Sequence, residues 1–86
     1  MWKKDLNPEE AAQIIERFLK NESRYPQEWN DFVDTPQQDK TVERHRLQCY
    51  ELDPLVNRPG GPDPIANKRL ESIVESLRSY SNPTCE

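Results

Sequence analysis

Eight prolines divide this 86-residue chain into short segments, and most of them stand where a helix would begin. A proline in a helix interior costs roughly 3 kcal/mol, because it removes a hydrogen bond and clashes with the preceding turn, whereas the first turn accepts it. The prolines therefore favour several short helices over one long coiled coil. Their spacing predicts an all-α fold, a compact irregular bundle of about four helices of unequal length.

The first and last predicted helices share a start signal, a polar cap followed by proline. Asn7 and Pro8 begin a helix predicted over residues 8–20, in which Glu10 completes a capping box. Asp63 and Pro64 begin the helix predicted over residues 64–79. Apolar residues at helical spacing give each helix one face for burial. They are Ala11, Ile14, Ile15, Phe18 and Leu19 in the first helix and Ala66, Leu70, Ile73, Val74 and Leu77 in the last.

Two further helices are predicted between these. Pro26 begins a short one over residues 26–34, which Pro36 must end. The other is predicted over residues 38–52, with His45 on its apolar side. Asp53 and Pro54 are expected to start a turn, and residues 57–64 to form a stiff loop that holds both glycines. The apolar members of these two helices are Tyr25, Trp29, Phe32 and Val33, and then Val42, Cys49, Tyr50 and Leu52.

Length and composition predict one small domain, residues 1–86, with a thin core. The apolar fraction is 33%, against roughly 45–50% in an ordinary globular protein. The net charge of -4, with both signs interspersed, is too small to indicate disorder. We therefore expect a folded chain of modest stability with a frayed tail over residues 80–86. A core this thin would also suit a homo-oligomer whose subunits are stable only together.

The sequence predicts a cytoplasmic protein with free thiols. The start MWKKDLNPEE lacks the apolar stretch of a signal peptide, and no run approaches the roughly 20 apolar residues of a membrane span. Cys49 lies in a helical pattern and Cys85 is the second-last residue, where a disulfide would add little stability. The general pattern is similar to that of small bacterial helical proteins, although no family motif matches residue by residue.

His45 and Cys49 form the pair with the most chemical potential. At positions i and i+4 they share a helix face, as two metal ligands or a thiolate–imidazolium dyad would. A structural zinc site needs four ligands, however, and the sequence has no CxxC motif, no second histidine and only the remote Cys85. The favoured interpretation is that both residues pack against the last helix. No metal, cofactor or catalytic residue is predicted, and a small metal- or thiol-dependent protein centred on this pair is the alternative.

The charge pattern argues against nucleic acid as a partner. A basic patch is expected on the third helix, but residues 1–43 hold 6 basic and 10 acidic side chains, and residues 44–86 hold 6 of each. A nucleic-acid-binding face normally carries a net positive charge. Pairs of neighbouring carboxylates are interpreted as solvated faces rather than as acid–base catalysts. The basic patch consists of Lys40, Arg44, His45 and Arg46.

The segment over residues 25–35 is the best candidate for a binding site, because it concentrates three aromatic rings. Either these rings form the centre of the core, or some of them stay exposed as an anchor with acidic side chains at its rim. The rings are Tyr25, Trp29 and Phe32, of which Tyr25 and Trp29 are the candidate binding residues, and the rim consists of Glu28, Asp31 and Asp34. We expect a non-enzymatic protein-interaction module, acting as a regulator, an inhibitor or a subunit. An acidic surface would attract a partner protein with a basic surface and repel nucleic acid and anionic membranes. That surface is expected to include Glu16, Glu28, Asp31 and Asp34.

Overall fold

The computed structural model describes residues 6–58 and 60–81, which form four helices and no strand. The predicted all-α bundle is confirmed. In chain order the helices are α1 (Pro8–Leu19), α2 (Glu28–Asp34), α3 (Lys40–Val56) and α4 (Pro64–Ser81). No helix in the described ranges is long and apolar enough to cross a membrane. Cys85 and most of the tail that we expected to fray lie outside the described residues.

Three of the four helices begin with a side-chain cap. The capping box of α1 is present as predicted, because Asn7 Oδ1 accepts from the Glu10 amide at 2.8 Å and Glu10 accepts from the Asn7 amide at 3.0 Å. Asp63 caps α4 by accepting from the amides of residues 65 and 66 at 2.8 and 3.2 Å. Asp39 caps α3 in the same way. These carboxylate and amide oxygens satisfy amides that have no partner inside the helix.

Helix α3 is longer than the sequence predicted, and the expected turn at Pro54 was wrong. The helix passes through Pro54 and ends at Val56. Pro54 lies in the last turn, where it removes one hydrogen bond instead of disrupting a long ladder. The end of the helix is closed by the Asn57 amide, which donates to the Asp53 carbonyl at 2.8 Å.

The chain then turns sharply between α3 and α4. Gly60 and Gly61 adopt φ values of +90° and +100°, a region that side-chain-bearing residues rarely occupy. Beyond them the Asp63 amide donates to the Leu55 carbonyl at 2.9 Å. This bond joins the start of α4 to the end of α3, so the two helices leave the turn side by side.

The core lies where α1 and α4 pack together, with α2 and α3 closing it from the other side. The apolar faces predicted for α1 and α4 supply most of it. Phe18 and Leu19 are only partly buried at its edge, whereas Leu6 and Val56 are buried although neither belonged to a predicted apolar face. The buried apolar residues are Leu6, Ala11, Ala12, Ile14, Ile15, Trp29, Phe32, Val33, Val42, Cys49, Val56, Ala66, Leu70, Ile73, Val74 and Leu77.

Truncation of Leu70 should measure how much α4 contributes to this core. Leu70 is fully buried, so Leu70→Ala should lower the free energy of unfolding by about 2–5 kcal/mol, from lost apolar burial and the cavity left behind. Ile65 is 77% exposed at the start of the same helix, and Ile65→Ala should cost less than about 0.5 kcal/mol. Urea denaturation followed by circular dichroism gives both values. Equal losses for the two variants would contradict the packing of α4.

Candidate functional site

The aromatic rings of α2 belong to the core. Trp29 is 2% exposed and Phe32 is fully buried. The Trp29 ring stacks on Phe18 of α1 with centroids 4.1 Å apart and planes 16° apart, and its Nε1 donates to Asp53 of α3 at 2.6 Å. Of the two possibilities that the sequence left open for Trp29, core and exposed anchor, the structure shows the core.

The remaining residues of the predicted binding segment lie at or near the surface. The Tyr25 hydroxyl donates to the Asp31 carboxylate at 3.0 Å, and both side chains are half-buried. Burial, this hydrogen bond and the charges of Asp31 and Glu28 raise the pKa of Tyr25. Asp34 is exposed at the end of α2. Of the predicted binding residues, Tyr25 and Asp31 are therefore hydrogen-bonded to each other, and only Asp34 is exposed.

Glu28 does not face outward as expected; it is buried in an ion pair. Arg17 Nε and Nη2 donate to its two oxygens at 3.1 and 2.8 Å, and the Arg24 amide donates at 3.2 Å. Burial alone raises the pKa of Glu28, but these hydrogen bonds and the charges of the two arginines outweigh it and hold the pKa below its ordinary value of 4.5. Glu16 is likewise occupied, because Arg78 donates to both of its oxygens at 3.2 and 2.8 Å. The acidic surface is therefore smaller than the sequence suggested.

The predicted basic patch on α3 is also divided. Arg46 is buried, where it donates to the Glu43 carboxylate at 2.8 and 2.6 Å and to the Val33 carbonyl of α2. His45 is buried on the α4 side. Only Lys40 and Arg44 remain exposed. Arg46 acts as a link between α2 and α3 rather than as part of a basic surface.

His45 contacts α4 and Cys49 is buried in the core; the sequence had favoured packing of both residues against α4. His45 Nδ1 lies 2.7 Å from the Thr41 carbonyl, and Nε2 lies 2.9 Å from Ser76 Oγ. A carbonyl can only accept, so Nδ1 carries a proton and donates to Thr41, while Nε2 forms a hydrogen bond with the Ser76 hydroxyl. Cys49 is fully buried, and burial raises the pKa of its thiol to about 12 despite the nearby Arg46 charge. Both ring nitrogens thus have protein partners, and the thiol is kept neutral.

No metal-binding cluster is present in the part of the chain that the structure describes. Groups of three or more His, Cys, Asp or Glu side chains that could hold a metal ion do not occur there. The remote Cys85, which could have been a further ligand, lies outside the described residues. The described residues therefore offer nothing that would complete a site on His45 and Cys49.

An exposed apolar surface on α3 was missed by the sequence reasoning. Tyr50 was expected in the core, but it is 57% exposed, and Leu47 is 48% exposed. With the exposed Pro54 they form what we call the outer stripe of α3, at positions i, i+3 and i+7. Its spacing was readable in the sequence. The stripe was overlooked because an aromatic residue next to the buried Cys49 was assigned to the core.

Comparisons with protein-family models, with curated proteins and with solved structures found no match for this chain. A proposal for its function therefore rests on the side chains themselves.

The buried Glu28 carboxylate should make folding depend on pH. A carboxyl whose pKa is lower in the folded protein than in the unfolded chain adds stability above its unfolded pKa, and this stability is lost as the pH falls through the folded pKa. Because the pKa of Glu28 lies below its ordinary 4.5, the free energy of unfolding should fall as the pH drops below about 4.5. Glu28→Gln should cost about 1–3 kcal/mol at pH 7 by leaving Arg17 without its charged partner.

The measurement is urea denaturation of wild type and Glu28→Gln at a series of pH values from neutral to strongly acidic. The variant should lose stability less steeply in acid, so that the two curves converge. Glu51→Gln, at an exposed position on α3, should leave the wild-type curve almost unchanged. Parallel curves for wild type and Glu28→Gln would disprove the depressed pKa.

The thiol of Cys49 should be unreactive in the folded protein. In a Cys85→Ser background, burial and a pKa of about 12 should slow alkylation by iodoacetamide near pH 8. The expected rate is on the order of a thousandfold below that of the urea-unfolded chain. Intact-mass spectrometry measures both rates. Rapid labelling of the folded chain, slowed by added zinc, would instead support the metal- or thiol-dependent alternative.

Proposed function

We propose that this chain is a non-enzymatic protein-interaction module that binds a partner protein through the outer stripe of α3. The observation that supports this most directly is the exposure of Tyr50 and Leu47, two large side chains one turn apart. Such exposure is notable in a chain whose apolar fraction is only 33%. Burying such a side chain at an interface is worth about 1.5–3 kcal/mol. Tyrosine is also among the residues that most often dominate binding energy.

The acidic part of the original expectation fits this surface. Glu51 is exposed beside Tyr50 on α3. Asp34 is exposed at the end of α2, next to Val33, whose carbonyl accepts from Arg46 one turn before Tyr50. One carboxylate therefore follows Tyr50 directly in the chain, and a second lies at the end of the helix that contacts the preceding turn of α3. This arrangement suits a partner with an apolar pocket that is edged by basic side chains, and a charged rim of this kind chiefly raises the association rate and the specificity.

A regulator, an inhibitor or a subunit of a complex would each use such a surface. We place the protein in the cytoplasm, because a free buried thiol at Cys49 suits a reducing compartment. Nucleic acid is not proposed as a partner of this stripe, because the exposed carboxylate of Glu51, the residue after Tyr50, would repel phosphates.

Capture from a lysate of the native host tests the proposal. The immobilised wild-type chain, Tyr50→Ala and Asp34→Lys are compared with Ile65→Ala, which truncates a still more exposed apolar residue on α4. A partner should be retained by wild type and Ile65→Ala. Its binding should weaken at least tenfold with Tyr50→Ala, and Asp34→Lys should slow association, as raised salt also should. A partner that binds all four chains equally would contradict the proposed surface.

Sedimentation velocity distinguishes a partner protein from a second copy of this chain. The wild-type chain should remain a monomer as its concentration rises. If it instead forms a dimer that Tyr50→Ala dissociates, the stripe is a homo-oligomer interface and the proposal of a separate basic partner fails.

A further inference from the structure

A groove of about 430 Å³ runs between α3 and α4, on the side of α3 that faces away from α2. Positions 44 and 48 of α3 and positions 69, 72 and 76 of α4 each follow helical spacing, so each helix presents one row of side chains to the groove. No carboxylate lies among these residues. The lining residues are Arg44, His45, Gln48, Arg69, Ser72, Ile73 and Ser76.

The two arginines of this groove have no carboxylate partner among the described residues. Arg17, Arg46 and Arg78, by contrast, are each paired with a glutamate. Arg69 makes no hydrogen bond or ion pair with any residue that the structure describes. Arg44 donates only to the Tyr80 hydroxyl, at 3.1 Å, which leaves most of its roughly five N–H groups available. The groove therefore concentrates two positive charges in a chain whose net charge is -4.

Two neutral donors stand between these charges. Within the described ranges the side chains of Gln48 and Ser72 have no hydrogen-bond partner, and both are exposed to the groove. The side of the groove nearest the core is fixed differently, because the Ser76 hydroxyl is held by His45 Nε2 at 2.9 Å. The Gln48 amide and the Ser72 hydroxyl can thus donate beside two guanidinium groups. The side of the groove nearest the core is already ordered by the contact between Ser76 and His45.

We propose that this groove binds a phosphate monoester through Arg44, Arg69, Gln48 and Ser72. A phosphate monoester carries two negative charges and tetrahedrally arranged oxygens, which can accept from donors on two helices at once. A planar carboxylate has fewer oxygens to offer. Guanidinium groups bind phosphate oxygens in bidentate fashion, with charge-assisted hydrogen bonds about twice as strong as neutral ones.

The groove is larger than a phosphoryl group alone, and its volume falls within the roughly 300–1,000 Å³ of small-molecule sites. The organic part of the ligand therefore has room to lie along the helices. Two sources share this chemistry: a free phosphorylated small molecule, and a phosphorylated side chain of another protein. This site is separate from the outer stripe of α3, and neither proposal depends on the other.

Nuclear magnetic resonance titrations of the full chain test the site. The probes are inorganic phosphate, O-phosphoserine, a short phosphoserine peptide and the same peptide without phosphate. We expect saturable shifts in the Arg44 and Arg69 Nε–H signals and in the Gln48 side-chain amide signal. These shifts should appear with O-phosphoserine and the phosphoserine peptide and, more weakly, with inorganic phosphate, but not with the unphosphorylated peptide. Tighter binding of the peptide than of O-phosphoserine identifies a protein-borne phosphate, and the reverse or equal binding identifies a small molecule.

Matched variants decide whether the groove itself is responsible. Arg69→Gln and Arg44→Gln should each weaken binding at least tenfold, as expected for the loss of a charge-assisted contact. Lys68→Gln removes the same charge from the neighbouring position, outside the groove lining, and should change the affinity less than twofold. All three positions are exposed, so unchanged thermal unfolding shows that the fold persists.

Three results would overturn the proposal. One is the absence of saturable shifts with every phosphorylated probe. Another is equal weakening by Lys68→Gln and Arg69→Gln, which would show general charge attraction rather than a site. The third is binding of duplex DNA at physiological salt more tightly than any monoester, with shifts on the same residues. None of these outcomes bears on Tyr50, so failure here leaves the proposed protein-interaction surface to its own test.

Discussion

The arrangement of the helices depends on the contacts of Trp29. Helix α2 has only seven residues, and an isolated helix of that length is unstable in water. Trp29 fixes it by stacking on Phe18 of α1 and donating to Asp53 of α3. An aromatic ring with one polar atom can join an apolar neighbour and a carboxylate in this way. Extension of α3 through Pro54 keeps Asp53 within the helix.

In this small core, buried charged side chains hold helices together where a larger core would rely on apolar packing alone. Arg17 reaches Glu28 from α1 to α2, and Arg46 reaches the Val33 carbonyl from α3 to α2. Such buried charges are costly to desolvate, and here Glu28 accepts three hydrogen bonds while Arg46 donates three, which offsets part of that cost. Using charges in this way has two effects at the surface. Several carboxylates and arginines are withdrawn from it, and two of the arginines that have no carboxylate partner, Arg44 and Arg69, line the groove between α3 and α4.

The sequence predicted best those features that depend on neighbouring residues. The capping box of Asn7 and Glu10 and the cap at Asp63 involve contacts within three residues, and they were found as predicted. The apolar faces of α1 and α4 were predicted because each helix has one buried side. The ion pair of Glu28 joins residues 11 apart, and the Arg46 contact with α2 spans 13. Periodicity alone cannot reveal such pairs, and it assigns charged side chains to the surface.

Helix α3 was the hardest to predict because its sides serve three different surroundings. One side is buried and carries Val42, Cys49 and Val56. A second side bears the outer stripe around Tyr50, and a third presents Arg44 and Gln48 to the groove with α4. An amphipathic pattern assumes one apolar and one polar side. An exposed apolar residue such as Tyr50 is then assigned to the core. A groove residue such as Arg44 is assigned to a general basic patch. The same mixture is what a helix must carry if it both completes a core and presents two separate binding surfaces. The irregular pattern of α3 is therefore the pattern that the two proposed surfaces would require.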